Sequence, residues 1–381
     1  MPSALKSLMI ESNLDSFLFI GDSVCDSDMY YLSHFLSQDR FTLLAQDDIT
    51  MLVSSMEMGR AGKESIAKEV VSTSEYRIME KLKVSGKPDQ AYLLVLREFL
   101  RDRGARRIGV PFRFPAGIHQ HLAEDFEIAI LESPLARQRA VKTAEELAAI
   151  RVAQRGCEKA MRQAVNLIAV SEPQGDYLLR QGRPLTSEDV RSTIEVALLE
   201  EGCEAVDTIV AGGLIAADPH SRGMGPLPAN EPIVIDIFPR SKSLRYFADM
   251  TRTVVRGEAS LEVKEIYEAV LAAQSAGLKC ISSGVSGKEV HSRVIQVFKE
   301  HGYPEQDQIG FTHSTGHGVG LNIHERPSLS EAGDLLEANN VVTVEPGLYY
   351  PEIGGVRLED LVVVTAKGSE NLTHFEKILI I

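Results

Sequence analysis

Through the first 135 residues, short apolar runs alternate with amphipathic periodicity. Segments 16–20, 41–45, 51–54, 108–110 and 126–131 are apolar stretches of strand length, whereas 89–103 sets Tyr92, Val95, Leu96 and Phe99 on one face of a helix. Strands interspersed with helices predict an α/β unit. Ser133-Pro134 breaks this pattern, and Thr143-Ala-Glu-Glu146 then has the form of a capping box, with a hydroxyl and a carboxylate placed to satisfy the free amides of a helix start. The helix it opens would bury a stripe of Leu147, Ile150, Cys157, Met161, Ala164 and Ile168. The change of pattern near 135–142 predicts a boundary, and a cut before Arg139 gives domains 1–138 and 139–381.

Farther along, 171–184 is polar and reads as a loop, while 186–201 reads as a helix stopped by Gly202. Extended segments are predicted at 208–211, 233–238 and 251–256, helices at 261–282 and 287–301, and strands at 341–349 and 356–365. Helices lying between two groups of strands predict an α+β second domain, a curved antiparallel sheet covered by helices on one face.

Composition narrows the function classes. A chain of 381 residues with 44% hydrophobic and 25% charged positions can bury a large core. Its formal charge of −14, from 40 basic and 54 acidic residues, repels phosphate backbones and anionic lipid, so neither nucleic acid nor a membrane is an expected partner. Cys25, Cys157, Cys203 and Cys280 are scattered without a CxxC spacing, which suits reduced thiols in a cytoplasmic setting. No run of eighteen apolar residues occurs, and residues 1–13 hold no signal-peptide core, so a cytoplasmic location is expected.

The candidate chemistry lies in five side chains, Asp236, Asp249, His317, Glu345 and Glu359. Asp236 follows Ile233-Val-Ile235 and Glu345 follows Val341-Val-Thr-Val344, so both carboxylates leave apolar strands where an unpaired charge is costly. Asp236 and Asp249 are separated across one putative hairpin much as Glu345 and Glu359 are across another. Four converging carboxylates cannot all stay ionised without cations, and His317, between glycines, offers a ring nitrogen. Carboxylates with an imidazole are the side chains that hold two divalent cations, which together make hydroxide from water at neutral pH. Buried pairing of these carboxylates with arginine is the competing explanation.

Four segments carry a family likeness: Tyr246-Phe-Ala-Asp249-Met-Thr-Arg-Thr253, His313-Ser-Thr-Gly-His317-Gly-Val-Gly-Leu-Asn-Ile-His324-Glu325, Val344-Glu345-Pro-Gly-Leu-Tyr349 and Gly355-Val-Arg357-Leu-Glu359-Asp360. They resemble the pita-bread metallopeptidases, in particular the prolidase and aminopeptidase P branch. Asp28-Met-Tyr-Tyr-Leu-Ser-His-Phe35 resembles the signature of the creatinase-type amino-terminal domain that accompanies them.

The resemblance implies hydrolysis of the Xaa-Pro bond, at the amino terminus of peptides or in dipeptides. It implies two metal ions, Mn foremost and otherwise Co or Zn, with Asp236 on one ion, His317 and Glu345 on the other, and Asp249 and Glu359 bridging. It makes Glu345 the proton shuttle, gives His220 and His324 hydrogen bonds to the substrate carbonyl and developing anion, sets His313 beside the proline pocket, and has Tyr349, Arg357 and Thr251 orient the ligands. Homodimerisation is a further implication. The chain also departs from the family pattern. Phe238-Pro239 stands where a glycine is usual, in a link two residues longer than customary, and Ser328 stands where several archaeal-type prolidases carry an arginine for the free carboxylate of a dipeptide. Two other readings compete: a catalytically silent binding protein on the same fold, and a creatinase-like amidinohydrolase that works without metal.

Overall fold

Apolar runs without polar interruption give strands that are buried on both faces. In the strand Ser16–Gly21, Leu18 and Ile20 pack toward Val95, Leu96 and Phe99 of the helix Pro88–Asp102, while Phe17 and Phe19 pack toward Leu5, Met29, Leu32 and Phe35. The computed structural model describes residues 1–381, which divide into two units, Met1–Gln138 and Arg139–Ile381. The first unit holds a six-stranded mixed sheet, in the order Glu69–Ser72, Ile49–Val53, Phe41–Ala45, Ser16–Gly21, Arg107–Pro111, Glu127–Leu131. Both outer pairs and the central pair with Arg107–Pro111 are parallel, and Phe41–Ala45 runs antiparallel to its two neighbours. The short helices of this unit, Ser3–Glu11, Ser27–Ser33, Met58–Glu64, Ile78–Ser85 and Ala116–Leu122, fall outside the predicted set because they are too short to show a helical repeat. The one over Ser27–Ser33 is capped by Asp26, whose carboxylate accepts from the amides of Asp28 and Met29.

The second unit opens on the capping box. Glu146 N donates to Thr143 Oγ1 (3.2 Å) and Thr143 N donates to Glu146 Oε2 (2.7 Å), starting a helix over Ala144–Ala169. Ile150, Cys157, Met161, Ala164 and Ile168 are buried along it, with Leu147 at the margin. The expected loop at 171–184 is instead a three-stranded meander, Glu172–Gln174, Tyr177–Arg180 and Arg183–Pro184. It turns at Gly175 (φ 61°) and Gly182 (φ 78°), and Leu178 is the buried apolar side chain within these strands, so no alternation marks them in the sequence.

The antiparallel strands of this unit form separate ladders. Ile209–Gly212, Ile233–Ile237 and Met250–Val254 make a three-stranded one; Glu325–Leu329, Gly316–Gly318, Val341–Val344, Asp360–Thr365 and Gly368–Asn371 make a five-stranded one. The predicted strands at 341–349 and 356–365 each break in two, at Glu345-Pro346 and at Leu358-Glu359. The pieces Gly347–Tyr350 and Gly354–Arg357 pair with each other instead. Pro346 has no N–H to give a ladder, so the chain leaves one sheet there. The helices Leu261–Cys280 and Gly287–Glu300 cover this region, and Gln274 Nε2 donates to Val344 O across the contact (3.0 Å).

One fully buried arginine joins the ladders. Arg252 donates to Thr251 O, Glu359 O, Phe375 O, Glu376 O and the carboxylate of Asp360, which satisfies every N–H of the guanidinium. Asp360 in turn accepts from Asn371 Nδ2 and Lys377 Nζ. Removing Arg252 leaves a buried carboxylate with half its pairing. Arg252→Ala should therefore lower unfolding stability by about 3–5 kcal/mol in urea titrations; a loss within 0.5 kcal/mol, the range of an ordinary surface substitution, contradicts this account of the clamp.

Candidate metal centre

Strand ends place the four carboxylates. Asp236 lies within Ile233–Ile237, opposite Thr251, and Asp249 directly precedes Met250–Val254. Glu345 follows Val341–Val344, and Glu359 precedes Asp360–Thr365, at the end of a ladder where Val344 pairs with Asp360. Each strand pair thus delivers two carboxylates from one end. The backbones are tied together at this point, since Glu359 N donates to Thr251 O (3.1 Å) and Arg357 N to Thr253 Oγ1 (3.0 Å).

His317 comes from the short strand Gly316–Gly318, whose glycines are required by close approach. A Cβ on Gly316 would lie 2.0 Å from Thr343 O, and one on Gly318 would lie 2.1 Å from Arg326 O. His317 Nδ1 lies 3.1 Å from Gly318 O and is set to donate to it, which leaves the Nε2 lone pair facing the carboxylates, 3.3 Å from Glu345 Oε1 and 3.7 Å from Asp249 Oδ2. Ligand atoms of Asp249, His317 and Glu359 all lie within 4.8 Å of one another. The five residues, together with His220, His313, His324 and Arg357, line a single cavity of about 500 Å³. Tyr349 stands behind the cavity wall, buried against Arg357 and His313.

Arginine does reach the cluster, as the competing explanation requires, but it accounts for a single oxygen. Arg357 Nη2 donates to Asp236 Oδ2 (2.7 Å), and its other nitrogens go to Thr251 Oγ1, Tyr349 Oη and Pro219 O. The Thr251 hydroxyl in turn donates a hydrogen bond to Glu359 Oε2 (2.8 Å). Asp236 Oδ1, Asp249 Oδ1 and Glu359 Oε1 remain buried without a hydrogen-bond partner. Three orphaned carboxylate oxygens in one cavity are what a protein leaves for cations, because without them the charges are held at high cost.

Proton affinities follow from this crowding. Burial, then the neighbouring carboxylates, push Asp249 and Glu359 well above the usual carboxylate range. Burial raises Glu345 to about 8, with Arg357 opposing and Asp236 adding to the rise. His317 is lowered to about 3 by burial and by the ring of His324, whose centroid is 4.2 Å away. His313 is lowered to about 3 by burial and by Arg357. Tyr349 hydrogen-bonds His313 Nε2 (3.0 Å), and burial raises its phenol to about 12. The imidazoles are thus neutral donors of lone pairs, and the carboxylates hold either protons or cations. Oxygen donors with one imidazole fit hard or borderline divalent metal ions.

His220 and His324 sit on the exposed side of the cavity, and Phe238, from the link after Asp236, forms part of its wall. Ser328 is absent from the lining, its hydroxyl spent on Ser330 (2.9 Å). Two lining residues, Asp207 and Arg222, carried no signal in the sequence. Neither belongs to an apolar run, and proximity to His220 was the one hint for Arg222. Cys157 lies behind the site with its thiol on Ile237 O, and burial beside Asp249 and Asp236 keeps it protonated.

Comparison with known proteins agrees with this geometry. Residues 148–366 match the model of metallopeptidase family M24. An Xaa-Pro dipeptidase of Pyrococcus horikoshii is 32% identical over 284 residues, spanning 73% of this chain and 76% of that protein. The crystal structure of the prolidase from the same organism superposes with a TM-score of 0.82 at 27% identity, covering 99% of both chains. The X-Pro aminopeptidase of Thermotoga maritima superposes with a TM-score of 0.81 at 28% identity, covering 97% of this chain and 98% of that one. The pita-bread architecture expected from the motifs is therefore the fold of this protein, with its helices all too short or too polar to cross a membrane. The chain belongs to metallopeptidase family M24 and is a peptidase.

Proposed function

We propose that this peptidase uses two divalent cations to hydrolyse the bond between an amino-terminal residue and a following proline. The observation that carries the reading is the set of orphaned oxygens on Asp236, Asp249 and Glu359, facing the neutral Nε2 of His317 in one cavity. The printed activities of the relatives, Xaa-Pro dipeptidase and X-Pro aminopeptidase, support the substrate. In this reading Asp236 would hold one ion, His317 and Glu345 the other, and Asp249 and Glu359 would be shared between them. Mn leads, with Co or Zn as alternatives, since hard oxygens dominate the donor set. Bound there, such cations supply hydroxide at neutral pH and polarise a carbonyl.

The protein's own groups do the rest. Glu345, a carboxylate inside the cavity, is suited to take a proton and return it to the leaving nitrogen. His220 and His324, at the open side, hydrogen-bond the substrate carbonyl and the negative charge that develops on its oxygen. His313, held by Tyr349, borders the place of the proline ring, and Phe238 and Ile323 give apolar wall. A proline nitrogen offers no N–H, so a pocket shaped for the ring is a reasonable source of selectivity. Arg357 and Thr251 keep Asp236 and Glu359 oriented. A homodimer and a reducing cytoplasm, which suits four free cysteines, complete the reading.

Glu345→Ala should abolish Xaa-Pro cleavage in metal-loaded protein whose circular dichroism is unchanged; full turnover by this variant refutes the assignment. Metal should also stabilise the fold. At a hundredfold excess over the dissociation constant, Mn is expected to add about 2.7 kcal/mol, read as a rise in Tm, and Asp249→Asn should remove most of that rise. Xaa-Pro cleavage that survives complete chelation would overturn the two-cation reading.

A further inference from the structure

Two guanidiniums line the cavity, and they are in opposite states. Arg357 is buried, and four of its five donors are committed to Asp236, Thr251, Tyr349 and Pro219. Arg222 stands at the exposed side, its side chain 56% accessible, and its ionic partner is Asp207, 3.4 Å away and 73% accessible. An ion pair this exposed is worth about 0–1 kcal/mol. Its guanidinium fork is therefore available to a better partner.

The backbone under Arg222 is fixed although its side chain is not. Arg222 O accepts from Val210 N (3.1 Å) and from Arg191 Nη1 (2.5 Å), and Gly223 O accepts from the same Arg191 nitrogen (3.0 Å). Gly223 (φ 73°) lies so close to the neighbouring strand that a Cβ would come within 1.9 Å of Val210 O. Three residues earlier, Pro219 O is held by Arg357. The segment that brings His220 to the cavity thus brings Arg222 to the same cavity, at a set distance and with little slack.

The wall also explains the sign of the ligand. Asp236, Asp249, Glu345 and Glu359 are neutralised when cations are bound, which leaves Arg222 as the positive group on the wall with donors to spare. A cavity of about 500 Å³ suits a short peptide, within the ~300–1,000 Å³ usual for ligand sites. An Xaa-Pro dipeptide has one group that a planar, five-donor fork matches in two parallel hydrogen bonds, its terminal carboxylate. We infer that Arg222 binds the free carboxylate of a dipeptide substrate, with Asp207 holding the guanidinium at the rim until that carboxylate replaces it. The inference rests on the Xaa-Pro reading of the site and narrows it to substrates whose second residue is the last.

The test compares kcat/KM for alanylproline, alanylproline amide and alanylprolylglutamate amide in Mn-loaded enzyme, wild type and Arg222→Ala. The wild type should favour the free acid over the amide by about tenfold, the value of one charge-assisted contact. Arg222→Ala should bring that ratio to about one while leaving amide turnover unchanged, which also shows that the variant is folded, and Arg222→Lys should retain part of the preference. An unchanged ratio in Arg222→Ala, or equal losses on acid and amide, overturns the inference. A wild type that favours the glutamate peptide over alanylproline overturns it too, since the partner is then an acidic side chain. A wild type that cleaves none of the three removes the underlying Xaa-Pro reading, a result visible before any variant is made.

Discussion

Mutual repulsion among Asp236, Asp249, Glu345 and Glu359 is the constraint on which the second unit depends. Brought to one cavity and largely shut off from water, Asp249, Glu345 and Glu359 hold protons tightly when no cation is present. Rigid support is needed to keep them there. The structure supplies it by ending strands at these side chains: Asp249 before one strand, Glu359 before another, Glu345 after a third. Side chains at strand ends escape the packing demands of the ladder while inheriting its rigidity. The breaks at Glu345-Pro346 and Leu358-Glu359, which divide two predicted strands, are the points where the chain turns these carboxylates to the cavity.

How much of this the sequence discloses follows from what the local pattern can encode. The capping box at Thr143, the stripe from Ile150 to Ile168 and the central strands are legible because periodicity and hydrogen-bonding residues act over a few positions. The five-residue cluster is legible because each member sits in a motif beside glycine, proline or an apolar run. The strand breaks are not, since Val341 to Tyr349 is apolar throughout and only tertiary pairing decides which ladder each half joins. The meander at 172–184 hides for the opposite reason, with too little buried surface to write an alternating pattern. Asp207 and Arg222 are exposed polar residues of an ordinary kind. Nothing in one sequence separates them from solvated surface, and only the cavity reveals them.

Three arginines show how burial and partners, more than residue type, set what a guanidinium can do. Thr251 and Arg252 are neighbours on one strand, so their side chains leave by opposite faces. Thr251 turns to the cavity, where its hydroxyl links Arg357 to Glu359; Arg252 turns away and clamps the carbonyls of Thr251 and Glu359 from behind. Glu359 is consequently held from both sides, by a hydroxyl on its carboxylate and a guanidinium on its backbone. Arg357 faces the cavity with four of its five N–H donors engaged, so it orients Asp236 and has little left for a ligand. Arg222, with a single loose and exposed partner, is the guanidinium whose occupancy a substrate can change. The same side chain acts as scaffold behind the sheet, as an orienting group within the cavity and as a recognition element at its mouth, and the number of donors already satisfied decides which.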